Sequence, residues 1–216
     1  TYKKGVNEKN IKNLVLFTNE EFKINAINKL LIAKNSDQIN KTINSYKSKK
    51  KDFISFNVNS DQKVILIKIK QNKNATENEK KGANFYNFAK SNLLTDLNFL
   101  EKNIIEAQKQ NPSFMDEFLH GMQLKSYEFN KYKTKRETHE ISINVVFKTK
   151  IPLKNKNNRF NSLLEGTNFT KDLVSEPGNI LHPDEYAKRL LKLKKLGLKV
   201  IVYNEKKLKK LGCNAL

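Results

Sequence analysis

Three histidines, one cysteine and twenty-two carboxylates are the side chains here that could do acid–base, nucleophilic or metal chemistry. His120, His139 and His182 lie outside the helical or hairpin spacing that would let two imidazoles share a metal. None sits in a carboxylate cluster, so each is expected to be structural or superficial. Cys213 follows a glycine and reads as a small apolar core residue rather than a nucleophile. The carboxylate pairs Glu20-Glu21, Asp116-Glu117 and Asp184-Glu185 read as helix starts, where the helix dipole favours negative charge. Adjacent helical residues point about 100° apart, so such pairs make poor two-metal sites. The seven glycines include no Gly-x-Gly and no phosphate-cradling loop. No residue of the 216 is therefore expected to be catalytic, cofactor-binding or metal-binding.

Composition narrows the classes further. Hydrophobic residues make up 38% of the chain, enough for a real core, so a wholly disordered tail is excluded. No apolar run approaches the roughly 20 residues of a spanning helix, and no membrane partner is expected. A single cysteine excludes an internal disulfide framework. The net charge of +20 rests on 39 lysines and only three arginines (Arg136, Arg159, Arg189), beside 30 asparagines. A nucleic-acid surface would use arginine for bidentate contacts as well. Nucleic-acid binding is thus expected only as salt-sensitive, non-specific attraction. The sequence opens on Thr1 with neither Met nor leader and stops at Leu216 on an apolar pair. It is expected to be a cytoplasmic piece of a longer protein.

The elements follow from apolar spacing. Leu14 to Phe17 suits a buried strand, and Phe22 to Ile43 a helical stretch broken near Asn35-Ser36-Asp37. Phe53–Val58 and Val64–Ile69 flank Asn59-Ser60-Asp61 and predict a hairpin or neighbouring strands. Ile65, Ile67 and Ile69 fall on one face and Val64 and Leu66 on the other, as in a strand covered on both sides. Thr76 with Glu79 fits a capping box for a helix carrying Phe85, Phe88, Ala89 and Leu93. Leu93 to Ile105 fits neither template. Pro112-Ser113 opens a helix with Phe114, Met115, Phe118, Leu119 and Met122 on one face. Ile141 to Phe147 alternates as a strand, and Pro152 to Asn158 reads as a linker.

A second structured segment follows. Phe160 to Leu173 is helical, ending before Pro177-Gly178. Pro183 opens another helix with Tyr186, Ala187, Leu190, Leu191 and Leu193 inward, and Gly197 caps it. Val200-Ile201-Val202 is expected to be a buried strand, and Glu205 to Leu211 one more helix closed by Gly212. Such alternation predicts an α/β fold with parallel pairing.

Two stretches carry a resemblance. Gly121 to Lys135, with Tyr127-Glu128-Phe129-Asn130-Lys131-Tyr132-Lys133-Thr134, resembles the helix and exit of the leucyl aminopeptidase (cytosol aminopeptidase) family. That family has Tyr-x-Phe-x-x-Tyr-Lys-Thr there. Gly166 to Ala187, with Lys171-Asp172-Leu173-Val174-Ser175-Glu176-Pro177-Gly178-Asn179, is similar to its Arg-Asp-Leu-Val-Asn-x-Pro-x-Asn signature. The similarity continues through Leu198-Lys199-Val200 and Glu205 to Gly212. Lys171, Ser175, His182 and Cys213-Asn214 depart from the usual Arg, Asn, Thr or Ser, and Met-Gly. His182 is expected to cap its helix less well than Thr or Ser.

The resemblance implies a macro-domain-like three-layer α/β/α domain over 1–150. Residues 151–216 would then hold a linker, a connecting helix and the truncated start of an α/β catalytic domain. It implies a parent that releases N-terminal amino acids from peptides with two divalent ions, manganese or zinc, and that forms a homo-hexamer. The family's ligands, a Lys, three Asp and a Glu, would all lie beyond Leu216, so these residues alone would bind no metal and be inactive. A macro-type module binding ADP-ribose or nucleic acid is the alternative, although the glycine-rich loops a pyrophosphate needs are missing.

Overall fold

A computed structural model of the chain describes residues 2–4, 11–22, 36–47, 51–58, 60–70, 74–134, 140–147 and 158–213. The chain divides into two compact units, Thr1–Glu165 and Gly166–Leu216. In the first, six strands form one sheet: β1 (Tyr2–Lys4), β2 (Asn13–Thr18), β3 (Phe53–Asn57), β4 (Lys63–Lys68), β5 (Asp96–Leu100) and β6 (Ser142–Phe147). Their order is β1-β6-β5-β2-β4-β3. All neighbours are parallel except β3, which runs antiparallel to β4 with Phe56 opposite Val64. The mixed α/β class, the hairpin and the strand at Leu14 to Phe17 are as the sequence predicts.

Among the described residues this unit has helices α1 (Ser36–Lys47), α2 (Ala75–Ser91), α3 (Glu101–Ala107) and α4 (Phe114–Ser126). Side-chain alternation along the strands splits the interior into two cores. On one face Val15, Phe17, Ile65, Ile67, Leu97 and Phe99 meet Phe85 and Ala89 of α2 and Phe114, Phe118 and Met122 of α4. On the other, Leu14, Leu16, Val64 and Leu66 pack with Ile43 of α1. The two-sided apolarity of β4 thus corresponds to helices on both faces. Phe17 is the hub of the first core, with its ring edge-on to Phe114 at 5.1 Å and to Phe118 at 5.4 Å. Asn103 of α3 holds the end of β2: its Oδ1 accepts from Phe17 N at 2.7 Å and its Nδ2 donates to Phe17 O at 3.0 Å.

Helices α2 and α4 cross with their backbones in contact. A Cβ at Gly82 would lie 1.9 Å from Phe118 O, and one at Gly121 1.9 Å from Glu79 O. Only hydrogen fits at either position.

Several expectations are corrected. Asn74, not Thr76, caps α2, its Oδ1 accepting from Glu77 N at 2.9 Å. Glu79, the supposed capping-box partner, is engaged instead with His120. Leu93 to Ile105, ambiguous by spacing, contains β5 and α3. The helical stretch from Phe22 is described only from Ser36, so residues 23–35 lie outside the described residues, as does most of the linker before Asn158.

Helix α5 (Asn158–Ser175) contains the boundary between the units. The second unit continues with α6 (Pro183–Leu191), a 3₁₀ turn (Lys192–Leu196) and α7 (Glu205–Lys210). Gly197 and Gly212 take left-handed φ values of 85° and 79°, the glycine caps that the sequence predicts. Helix α6 has no buried residue, so the inward placing of Tyr186 and Leu191 is overturned within this chain: both are exposed. Residues Val200–Val202 form no strand, because no other strand of the described residues lies beside them to complete a ladder. Cys213, expected in a core, is exposed.

Candidate functional site

Among the described residues His120 is the buried histidine, carried on α4 directly before Gly121, where that helix touches Glu79 of α2. Its Nδ1 lies 2.9 Å from Glu79 Oε1, and its ring packs on Phe160 of α5 at 5.1 Å. Nε2 is buried and has no hydrogen-bond partner among the described residues. One imidazole and one carboxylate make a pair, not a metal site. Among the described residues no three His, Cys, Asp or Glu side chains converge. Two adjacent divalent ions need several shared anionic ligands, and the donors described here do not fit such a centre. His182 is the N-cap residue of α6 and makes no side-chain capping bond, in keeping with its weak capping chemistry. His139 lies outside the described residues.

The acidic pairs at helix starts are in use. Glu117 is buried at the first turn of α4, where its Oε2 accepts from Asn78 Nδ2 at 2.7 Å and from Asn111 Nδ2 at 2.9 Å. This joins α2, α4 and the loop before α4. Glu185, at the first turn of α6, accepts from Arg189 Nε at 3.1 Å.

A cleft of about 500 Å³ opens beside the Tyr-x-Phe stretch, lined by Tyr86, Met122, Ser126, Glu128, Glu140 and Ile143 among others. Among the described residues that line it there is no nucleophile–base pair. Ser126 Oγ donates to Gln123 O at 2.9 Å, and Glu128 is taken by Lys90 Nζ at 2.6 Å. The Lys90 hydrogen bond, aided by Asn130, holds the Glu128 carboxyl below the usual glutamate range.

The residues of the two resemblance stretches have positioning work. Gly121 permits the α2–α4 contact, and Phe129 packs edge-to-face on Tyr132 at 5.8 Å. In the second unit Arg189 Nη1 donates to Glu176 Oε1 at 2.9 Å while its Nε reaches Glu185. Glu176, whose side chain is 1% accessible, stands in the Ser175-Glu176-Pro177 turn. The guanidinium therefore ties the turn after α5 to the first turn of α6.

That tie has a pH dependence with a definite sign. Arg189 holds the Glu185 carboxyl below the ordinary glutamate range, and Glu176 and then Glu185 raise the guanidinium's own affinity for its proton. A depressed carboxyl contributes stability that is present above its unfolded value and lost as pH falls through the folded one. The second unit should therefore loosen in acid, below the ordinary glutamate range, and R189Q should remove that dependence. Hydrogen exchange of residues 176–190 at pH 7 and pH 3 checks this. Equal acid loosening in wild type and R189Q would contradict it.

Comparison with known proteins supplies a wider frame. No protein-family model matches the chain. A probable cytosol aminopeptidase of Sinorhizobium medicae is 36% identical over 107 residues, covering 46% of this chain and 22% of that protein. A mutant of tomato leucine aminopeptidase superposes with a TM-score of 0.66 at 16% identity, covering 98% of this chain and 45% of that one. The bottromycin maturation enzyme BotP in complex with manganese superposes with a TM-score of 0.60 at 14% identity, over 93% of this chain and 40% of its own. The chain spans about a fifth of the length of the curated relatives it matches. It resembles the cytosol aminopeptidases in sequence over nearly half its length, and shares the fold of the solved structures over nearly all of it.

Proposed function

We propose that this chain is the N-terminal part of a leucyl-aminopeptidase-like metallopeptidase, an enzyme that releases N-terminal amino acids from peptides. One observation carries the reading: two ordered stretches, Gly121 to Lys135 and Gly166 to Ala187, match the family's pattern, and relatives named aminopeptidases align at 36% identity. Residues 1–150, which fall within the first unit, would be the macro-type N-terminal domain with its α/β/α layers. Residues 151–216 would carry the linker, the connecting helix and the start of the catalytic domain.

The parent's metal centre would hold two divalent ions, manganese or zinc. The manganese-bound relative supports that class of metal. When bound, paired ions polarise a scissile carbonyl and activate a bridging water. The described side chains do not fit that centre, and this reading places the ligands beyond Leu216 on the strength of the resemblance. What these residues contribute is position: the α2–α4 crossing fixes the first unit, and Arg189 fixes the turn that leads into α6. This reading carries a homo-hexameric parent; the cytosol aminopeptidase names of the relatives support its cytoplasmic, peptide-cleaving part. Among the described residues no helix is long and apolar enough to cross a membrane.

The coding sequence past the Leu216 codon tests the reading. Within about one further domain length, it should encode the family's Lys, three Asp and Glu ligands in order. An open frame that continues without them would overturn the proposal.

A further inference from the structure

We propose that the cleft at the start of β6 binds a primary ammonium group carried beside a carbonyl on a short apolar body. That is the chemistry of an amino-acid amide or a peptide N-terminus. The site lies within the first unit and does not depend on the functional reading above.

Three elements build the cleft. Met122 and Ser126 stand four residues apart and so share one face of the last turns of α4. Ile141 and Ile143, two residues apart, lie on one side of the chain as it enters β6. Tyr86 of α2 completes a floor continuous with the first core. The volume of about 500 Å³ falls in the range of small-molecule sites, roughly 300–1,000 Å³.

Two independent observations point to the ligand. The first is Tyr86. The other buried aromatic residues of this core, Phe17, Phe85, Phe99, Phe114 and Phe118, are all phenylalanine, so a hydroxyl occurs only where the core meets the cleft. Tyr86 is 7% exposed. Among the described residues its hydroxyl has no hydrogen-bond partner, and it is not sealed from the cleft. A buried tyrosine ordinarily finds a partner for that group. Here it is free to donate to a ligand's carbonyl.

The second is charge. In a chain of net charge +20, the described residues lining this cleft include two carboxylates, Glu128 and Glu140, and no lysine, arginine or histidine. Lys90 Nζ lies 2.6 Å from Glu128 Oε1, and Asn130 Nδ2 donates to Oε2 at 3.3 Å, so Glu128 is already neutralised. Glu140 has no partner among the described residues, which leaves one formal negative charge in the cleft. One ammonium matches it. A divalent ion does not, because no three ligating side chains converge among the described residues. A free carboxylate on the ligand would be repelled by Glu140, which favours an amide over a free amino acid.

The chain supplies its own reporter. Its two methionines are Met115 and Met122, and of these Met122 lines the cleft while Met115 is buried in the first core. With isotope-labelled methionine methyl groups in the 216-residue chain, L-leucinamide should move the Met122 resonance saturably, at about 1 mM. Met115 should stay in place. Isocaproamide, the same body without the ammonium, should bind about fivefold more weakly, the upper range for an exposed ion pair. Glu140→Gln should weaken leucinamide by the same factor and leave isocaproamide unchanged. Tyr86→Phe should weaken both amides alike, because both present the carbonyl. Glu140 is exposed and unpartnered, so E140Q should fold, and an unshifted Met115 resonance verifies that. Leucyl-glycinamide binding as tightly as leucinamide would support the site and assign it to peptide N-termini. L-leucine binding as tightly would support the ammonium site and assign it to free amino acids. An unmoved Met122 up to the solubility of leucinamide would overturn the proposal. So would equal binding of leucinamide and isocaproamide, E140Q weakening both amides alike, or Met115 moving together with Met122.

Discussion

Gly82→Ala should destabilise the first unit by about 3 kcal/mol, the upper end of overpacking costs, and lower its thermal midpoint by roughly 6–12 °C. Two effects compete at this position. Alanine is favoured over glycine inside a helix by about 1 kcal/mol. Against that, the new methyl would sit 1.9 Å from Phe118 O and 2.8 Å from Phe118 C, both main-chain atoms that cannot rotate away. Helices α2 and α4 would have to separate, which opens the Phe85 and Phe118 contacts at 5.6 Å. The clash outweighs propensity. Gly166, mid-helix in α5 with open space around its Cβ position, supplies the control, because there the propensity term acts alone. G166A should raise or preserve the midpoint, and G82A should lower it. Calorimetric scans of both variants decide the matter, and equal midpoints would show that the helix crossing tolerates separation.

Much of this architecture is legible in the sequence because the signals are local. The two-sided apolarity of β4, the glycine caps at Gly197 and Gly212, and the apolar stripe of α4 each follow from a few neighbouring residues. Strand β5 is hidden because its interior is partly polar. Asn98 is buried and donates to Asn13 O at 3.3 Å, while Asp96 accepts from Asn144, so a buried strand reads as a mixed loop. The cap of α2 is misread for a similar reason. Asn74 and Thr76 both precede a glutamate by three residues, and the choice is settled by Glu79 turning to His120, which is 41 residues away. Val200–Val202 shows the opposite error, since its local pattern is that of a strand but a strand needs a neighbour. The glycine contact leaves one faint trace: a glycine in mid-helix costs stability unless something needs the space.

The second large effect concerns catalysis, and it tests the central claim, that these residues position a peptidase whose chemistry lies elsewhere in its fold. Peptide hydrolysis by paired ions requires ligands that hold both, and no three candidate ligands converge among the described residues. Enzymes exceed the uncatalysed reaction by at least about 10⁶-fold, so the contrast between a competent and an incompetent chain is close to all or none. The deciding measurement is leucyl-amide hydrolysis by the purified 216-residue chain supplied with manganese or zinc, beside the longer protein that the proposed function calls for. The expected result is turnover by the longer protein, lost on chelation, and none above the blank for the 216 residues. Saturable, chelator-sensitive turnover by the 216-residue chain alone would contradict the account.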